Sequence, residues 1–167
     1  SGLLVVAKTL AAHTFLVAEL SEKNVYREYE AIVQGSLVSG GTMDAPIGRH
    51  PSERVKMAVV SSGKPAVTHF RIIKRYRGLT HVRVELETGR THQIRVHMQS
   101  IGHPVLGDEL YGDQNQNQLF AQKYGLNRQF LHAARLKFRD QDQEFTAPLF
   151  PDLAQVLHQL ESENIPN

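Results

Sequence analysis

The stretch Glu87-Thr88-Gly89-Arg90-Thr91-His92-Gln93-Ile94-Arg95-Val96-His97 gathers more groups able to do chemistry than any other part of the chain. Its pattern predicts a strand ending at Glu87, a turn at Gly89 and a helix from about Thr91 to Ile101. A helix start of this kind offers unpaired N–H groups and a positive dipole to a phosphate or a carboxylate. Arg95 falls one residue off the apolar stripe at Ile94, so it lies at the edge of the core, where a guanidinium needs a carboxylate partner. Asp108 follows Gly107 in a predicted turn and reads as a backbone cap rather than a nucleophile. Other chemistries find little support. His92 and His97 are five apart, not the spacing that places two imidazoles on one helical face, and no HExxH occurs, so no metal site is expected. The chain has no cysteine, which excludes thiol nucleophiles and thiolate metal sites. Without a GxSxG elbow, a GxGxxG or a Walker loop, nucleotide-cofactor chemistry is not expected either.

These groups sit in a chain of ordinary globular composition. The 167 residues, 41% of them hydrophobic, suffice for one core and one domain. No apolar run approaches the ~18 residues of a membrane helix. The composition suits a reducing cytoplasm. Nineteen basic and 17 acidic residues leave a net charge of only +2, yet the cations cluster. Arg49, His50, Arg54 and Lys56 form one group, Arg71, Lys74, Arg75 and Arg77 a second, and Arg90, His92, Arg95 and His97 a third. Three such segments converging on one groove would let a nearly neutral protein hold a polyanion such as RNA, although three separate solvated faces fit the composition as well.

The elements that must position these groups read as follows. Gly2–Ala7 is a short buried strand. Thr9 caps a helix with Leu10, Thr14, Val17 and Ala18 on one face, widened by Phe15 and Leu20. Arg27–Val33 alternates, with Tyr29, Ala31 and Val33 on one face and Glu28, Glu30 and Ile32 on the other. A loop or irregular ribbon through Pro46 and Pro51 carries the first basic cluster. Ala66–Tyr76 and Leu79–Glu87 form a hairpin across Arg77-Gly78. The predicted helix after Gly89 turns Ile94, His97, Met98 and Ile101 inward and stops at Gly102. Gly112–Asn127, rich in Asn and Gln, reads as an exposed insertion. Phe130–Phe138 is a strand, Phe145 belongs to its partner, and Pro151–Leu160 is a helix whose end frays into Glu161–Asn167. The expected fold is α+β, a mixed and mainly antiparallel β-sheet with flanking helices.

The run from Glu87 to His97 resembles the signature motif of the ribosomal large-subunit class of pseudouridine synthases. Other stretches agree in order: Arg27-Glu28-Tyr29-Glu30-Ala31-Ile32-Val33 resembles the family's tyrosine motif. Pro46-Ile47-Gly48-Arg49, Gly63-Lys64-Pro65-Ala66-Val67-Thr68, Gly102-His103-Pro104-Val105-Leu106-Gly107-Asp108, Leu110-Tyr111-Gly112 and Leu131-His132-Ala133 follow. Ser1-Gly2-Leu3-Leu4-Val5-Val6-Ala7-Lys8 is similar to the tail of the catalytic motif His-Arg-Leu-Asp-x-x-Thr-Ser-Gly. Gly41–Ile72 looks most like the D type. The resemblance implies a truncated pseudouridine synthase catalytic domain spanning 1–167. The family's nucleophilic aspartate would lie four residues before Ser1, and its upstream strands and any N-terminal RNA-binding domain would be absent. It further implies base flipping, glycosidic-bond cleavage, rotation of the uracil and reattachment through carbon 5, without cofactor or metal. Whether the aspartate attacks the sugar or assists elimination stays open. In that scheme Tyr29 stacks on the base and takes part in proton removal at carbon 5, and Arg95 pairs with the aspartate. Ile94 or Leu131 closes the pocket, while Arg49, His50, Arg54, Lys56 and Arg90 contact RNA. The implied partner is large-subunit ribosomal RNA, the location cytoplasmic, the unit a monomer, and the 167-residue chain alone inactive. Two other readings are a non-catalytic RNA-binding or ribosome-assembly module on the same scaffold and, more remotely, a histidine-dependent phosphoester hydrolase.

Overall fold

The computed structural model describes residues 1–163. In chain order it has α1 (Leu10–Ser21), β1 (Val25–Gln34), β2 (Gly41–Asp44), β3 (Ile47–Arg49), β4 (Met57–Val59), β5 (Val67–Tyr76) and β6 (Leu79–Leu86). Then come α2 (Gln93–Ser100), α3 (Gln114–Tyr124), β7 (Leu131–Phe138), β8 (Glu144–Thr146) and α4 (Pro151–Glu163). Six strands form one sheet in the order β2-β5-β6-β1-β7-β8, every neighbouring pair antiparallel. The pair β3-β4 forms a separate ribbon. The α+β architecture with a mainly antiparallel sheet is therefore as expected.

The alternation along β1 splits the core into two layers. Ala31 and Val33 point to one face, where they meet Val82, Val84, Phe70, Ile94 and Met98, with Tyr29 and Leu131 packed alongside. Ile32 points to the other, against Tyr76, Leu79, Phe130, Leu153 and Val156. A register shift between Ile72 and Lys74 lets β5 serve both layers. Phe70 and Ile72 pack on the first face and Tyr76 on the second, as a β-bulge allows. Helix α2 covers the first face, and α3 and α4 cover one end of the second.

Four expectations from the sequence need correction. Gly2–Ala7 is no buried strand: only Gly2 bridges, in parallel, to Ala133, and Leu4 and Val6 are 85% and 71% exposed. Thr9 does cap α1, accepting from the Ala12 N–H, but the helix buries none of its residues and Leu10 is 81% exposed. Helix propensity and a good cap formed the helix without a covering partner here. The predicted inward stripe is therefore absent.

The Gly112–Asn127 stretch, read as an exposed insertion, is exposed at most positions but folds as α3 and buries Asn117 and Tyr124. Asp113 caps it at the Gln116 N–H, Gly125 ends it in the left-handed region at φ 69°, and Tyr124 is buried. Buried Asn117 ties this helix to the preceding loop. Its Oδ1 accepts from the Gly107 N–H, and its Nδ2 donates to the Asp108 carbonyl. The Asn/Gln composition conceals a helix because one of its two buried side chains, Asn117, is polar. Asn117→Ala would leave the Gly107 N–H unpaired, at a cost of about 1–3 kcal/mol, while the Asp108 carbonyl keeps the Gly112 N–H at 2.9 Å. Urea unfolding should show a loss of about 1–3 kcal/mol at unchanged m; no measurable loss would mean that water replaces the amide.

Finally, α2 starts at Gln93 rather than Thr91, after His92 at φ 56°, and Ile101 lies outside it, exposed. The ribbon expected around Pro46 and Pro51 is regular at β3 and β4, and the expected fraying lies partly at 164–167, outside the described residues. Among the described residues, no helix is long and apolar enough to cross a membrane.

Candidate active site

The residues of the Glu87–His97 run are tied in place mainly by one side chain, Gln93. Its Oε1 accepts from the Thr88 hydroxyl and the Arg90 N–H, and its Nε2 donates to the Val67 carbonyl and to Thr68 Oγ1. The turn thus clamps onto β5 and aims α2 at the sheet. His97 extends the clamp. Its Nε2 donates 2.9 Å to the Ala45 carbonyl, so Nδ1 must accept from the Thr68 hydroxyl at 2.7 Å. Burial pushes the His97 imidazole below its ordinary pKa, and it works as a neutral strut.

Arg95 finds the carboxylate that its position demands within this chain. Nε donates 2.6 Å and Nη2 2.8 Å to the two oxygens of Asp108, a bidentate fork, and the guanidinium lies 4.9 Å from the Tyr111 ring centre. Asp108 is fully buried and also accepts from the N–H groups of Leu110 and Tyr111. Burial alone would raise its pKa. Arg95 and the two N–H donors outweigh that and hold the carboxyl below its ordinary value. Asp108 is thus the structural cap that the turn suggested. The Tyr111 hydroxyl accepts from the Met57 N–H and is hydrogen-bonded to His92 Nδ1 at 2.7 Å, linking this pair to the β3-β4 ribbon.

Tyr29, Ile94 and Leu131 come together on the first face of the sheet, around one cluster. Tyr29 stands opposite Ala133 on β7 and also lines a cleft of about 220 Å³ with Leu3, Leu16, Leu20, Arg27 and Ala133. Its burial pushes the phenol above the ordinary range, while Arg27 draws it back. The chain start is seated beside it. Ser1 nitrogen donates to the Leu131 carbonyl, the Ala133 N–H donates to the Ser1 carbonyl, and Leu3 N–H donates to the Ala133 carbonyl. The Ser1 hydroxyl donates to His132 Nδ1, since His132 Nε2 is committed to the Ala147 carbonyl.

The cations expected to meet RNA divide. Arg49 and Arg90 line one cleft of about 420 Å³, where the ribbon meets the Gly89 turn, together with Lys64. In the sequence the one signal for Lys64 is its charge beside Gly63, within the family stretch Gly63–Thr68. Arg90 is steadied by Nε donating to the Pro65 carbonyl. Two of the expected contacts are engaged elsewhere. His50 Nδ1 accepts from the N–H groups of Ser52 and Glu53, closing its own turn, and Lys56 pairs with Glu53 at 2.7 Å. Arg54 is exposed and lies outside this cleft. Among the described residues, no three histidine, aspartate or glutamate side chains are grouped to hold a metal ion.

Comparison with known proteins agrees with this arrangement. Residues 1–100 match the family described as RNA pseudouridylate synthase. A protein from Vibrio vulnificus (strain CMCP6) named ribosomal large subunit pseudouridine synthase D is 46% identical over 170 residues, covering 96% of this chain and 52% of that protein. A Pseudomonas aeruginosa protein of the same name is 64% identical over 112 residues, which is 67% of this chain and 35% of that one. The chain therefore spans about half the length, or less, of these curated relatives. Among solved structures, Human RNA Pseudouridylate Synthase Domain Containing 1 superimposes with a TM-score of 0.73 at 26% identity, over 97% of this chain and 76% of that one. With Tyr29, Ile94 and Leu131 on one face, the clamped Thr88–Arg95 turn beside it and a match over 100 residues, the chain belongs to the RNA pseudouridylate synthase family.

Proposed function

We propose that residues 1–167 form the catalytic domain of an enzyme that isomerises uridine to pseudouridine in large-subunit ribosomal RNA, working as a monomer in the cytoplasm. The observation that carries this reading is the seating of Ser1 along β7. Ser1 nitrogen bonds the carbonyl of Leu131, which packs in the cluster of Tyr29 and Ile94, so a chain continued upstream would start from the edge of that cluster. An aspartate four residues before Ser1 would then approach that cluster. In the reaction the N1–C1′ bond of the extruded uridine breaks, the base turns, and C5 bonds to C1′. The C5 proton is lost and N1 ends protonated, so the change is an isomerisation with no cofactor. Tyr29 lies against the base and assists proton removal, and Ile94 and Leu131 shape the apolar wall. Arg95 supports the aspartate only through Nη1, because Nε and Nη2 are held by Asp108. Arg49, Lys64 and Arg90 take backbone phosphates, with Arg54 a further contact on the ribbon.

The test compares the 167-residue chain with one extended upstream through the aspartate, on ribosomal RNA, by carbodiimide labelling and primer extension. The extended chain should convert uridine and the shorter one should not. Turnover by the shorter chain would show that the nucleophile is misassigned. RNA binding by the extended chain without turnover would favour a non-catalytic assembly module instead. For binding, replacing Arg49, Lys64 and Arg90 together by glutamine should flatten the slope of log affinity against log salt by up to about 3, roughly one unit per phosphate contact. Replacing Arg49, Arg54 and Lys56 should flatten it less, since Lys56 already has Glu53. Equal slopes in wild type and the first triple variant would move the RNA face elsewhere.

A further inference from the structure

Arg27 is the anomalous cation of this molecule. It lies two residues before Tyr29 on β1, so both side chains project from the same face and line the same cleft. Its Nε is closed to water and has no hydrogen-bond partner, and Nη2 reaches only the carbonyls of Leu86 and Glu87, at 3.5 and 3.4 Å. No carboxylate is within ion-pair distance of it among the described residues. The carboxylate of Glu87, whose backbone carbonyl Arg27 reaches, is held by Lys23 and His69, each at 2.8 Å. A half-buried arginine without a counter-ion is costly, and such an arrangement persists where the charge acts on something else. The signature turn is shaped around it: a Cβ on Gly89 would stand 2.5 Å from Arg27 Nη1. Only a bare backbone lets the guanidinium lie there.

Resting on the proposed isomerase reading, we infer that Arg27 is a positioning residue for Tyr29, the fixed positive charge that favours the deprotonated state of the Tyr29 hydroxyl. The surroundings leave it this role. The β6 partner of Tyr29 is Val84, with Arg83 and Glu85 on the opposite face, and its β7 partner is Ala133. Arg135 of β7 also lines the cleft but is paired with Glu144. Leu16 and Leu20 of α1 and Leu3–Val5 line it with apolar atoms, and in α2 Ile94 packs in the Tyr29 cluster while the Arg95 fork is spent on Asp108. Glu28 and Glu30, flanking Tyr29 on its own strand, point to the other face, where they pair with Arg83 and His81. Arg27 is thus the one cation in the Tyr29 cleft without a carboxylate partner among the described residues. Both side chains are partly buried, so the charge acts on Tyr29 with less screening than between fully exposed groups.

The test places difluorotyrosine at position 29 of the 167-residue chain, so that the phenol ionises where the protein stays folded, and follows the fluorine signal with pH. Arg27→Gln should raise the midpoint by about one pH unit, the size expected when a nearby opposite charge is removed. Arg27→Lys, which keeps the charge but not the fork, should restore at least half of the shift, and it serves alone if the glutamine variant does not fold. Gly89→Ala, which displaces Nη1, should also raise the midpoint. In the extended chain, Arg27→Gln should lower kcat about tenfold at neutral pH with KM unchanged, and carry the acid limb of the rate profile to higher pH. An unmoved fluorine midpoint in a folded Arg27→Gln chain overturns the inference. A shifted midpoint in a protein whose extended form lacks activity keeps the inference and removes the isomerase reading.

Discussion

Arg95→Ala should remove about 3–5 kcal/mol of folding stability at neutral pH, the largest effect expected of any surface-accessible change, because it strands a buried charge. Asp108 is fully buried and would keep only two N–H donors once the 2.6 and 2.8 Å fork is gone. The pH dependence has a definite sign. In the parent the Asp108 carboxyl is held below its ordinary value, so the pair's contribution is complete above the unfolded pKa of about 3.9 and is lost as pH falls through the folded value. In the variant, burial without the guanidinium raises that pKa. The difference between the two proteins should then narrow between about pH 7 and pH 4, as Asp108 in the variant takes up a proton in the folded state. Urea titrations at several pH values measure this. Arg95→Lys should fall between them, since a point charge cannot replace a planar fork. A loss that stays under ~1 kcal/mol across this range would mean that the pair is solvated and behaves as a surface ion pair. In the extended chain the rate should fall at least ~100-fold, about 2.7 kcal/mol of barrier. That figure counts only if the variant is shown to be folded, because the structural role of Arg95 is now established by Asp108.

Tyr29→Phe, made in the extended chain, isolates the hydroxyl. The ring and its packing against Ile94 and Leu131 are kept, so stability should change little and RNA affinity should move by less than ~1.4 kcal/mol, which is tenfold. The single-turnover rate should drop by about 10²–10⁴, the range that one positioned acid or base supplies. Tyr29→Ala loses the ring as well and should also destabilise the fold by about 3 kcal/mol, typical of removing a packed aromatic. A phenylalanine variant within threefold of the parent rate would reduce Tyr29 to a stacking surface and remove the proton-transfer role.

Much of this molecule was legible residue by residue. Alternation along Arg27–Val33 put Tyr29, Ala31 and Val33 on one side and Ile32 on the other, and the structure has them so. The Arg77-Gly78 hairpin, the Gly102 stop and the Thr9 cap are local events, and local residue types announced them. Other features were hidden because they depend on what lies across space. Nothing in Leu3–Leu20 reveals that its apolar side chains stay largely uncovered, since periodicity reports a face and not its partner. The Gln114–Tyr124 helix was masked because its key contact is the Asn117 amide, a polar group whose burial only the neighbouring loop creates.

The sequence by itself determined the family, through ordered motifs whose side chains must meet particular turns and faces, and with it the α+β fold. It determined also that Arg95, one step off the core stripe, needed a carboxylate. Only the tertiary structure decided which one, because Asp108 is thirteen residues away along the chain and reaches the guanidinium through a turn. It likewise placed the partners of His50 and Lys56 in their own loop, set Lys64 in one cleft with Arg49 and Arg90, and left Arg27 without an ion-pair partner among the described residues. Charge and type are carried by each residue alone, whereas pairing is a property of distance. Distances between remote segments are set by how the whole sheet closes, and no single segment encodes them.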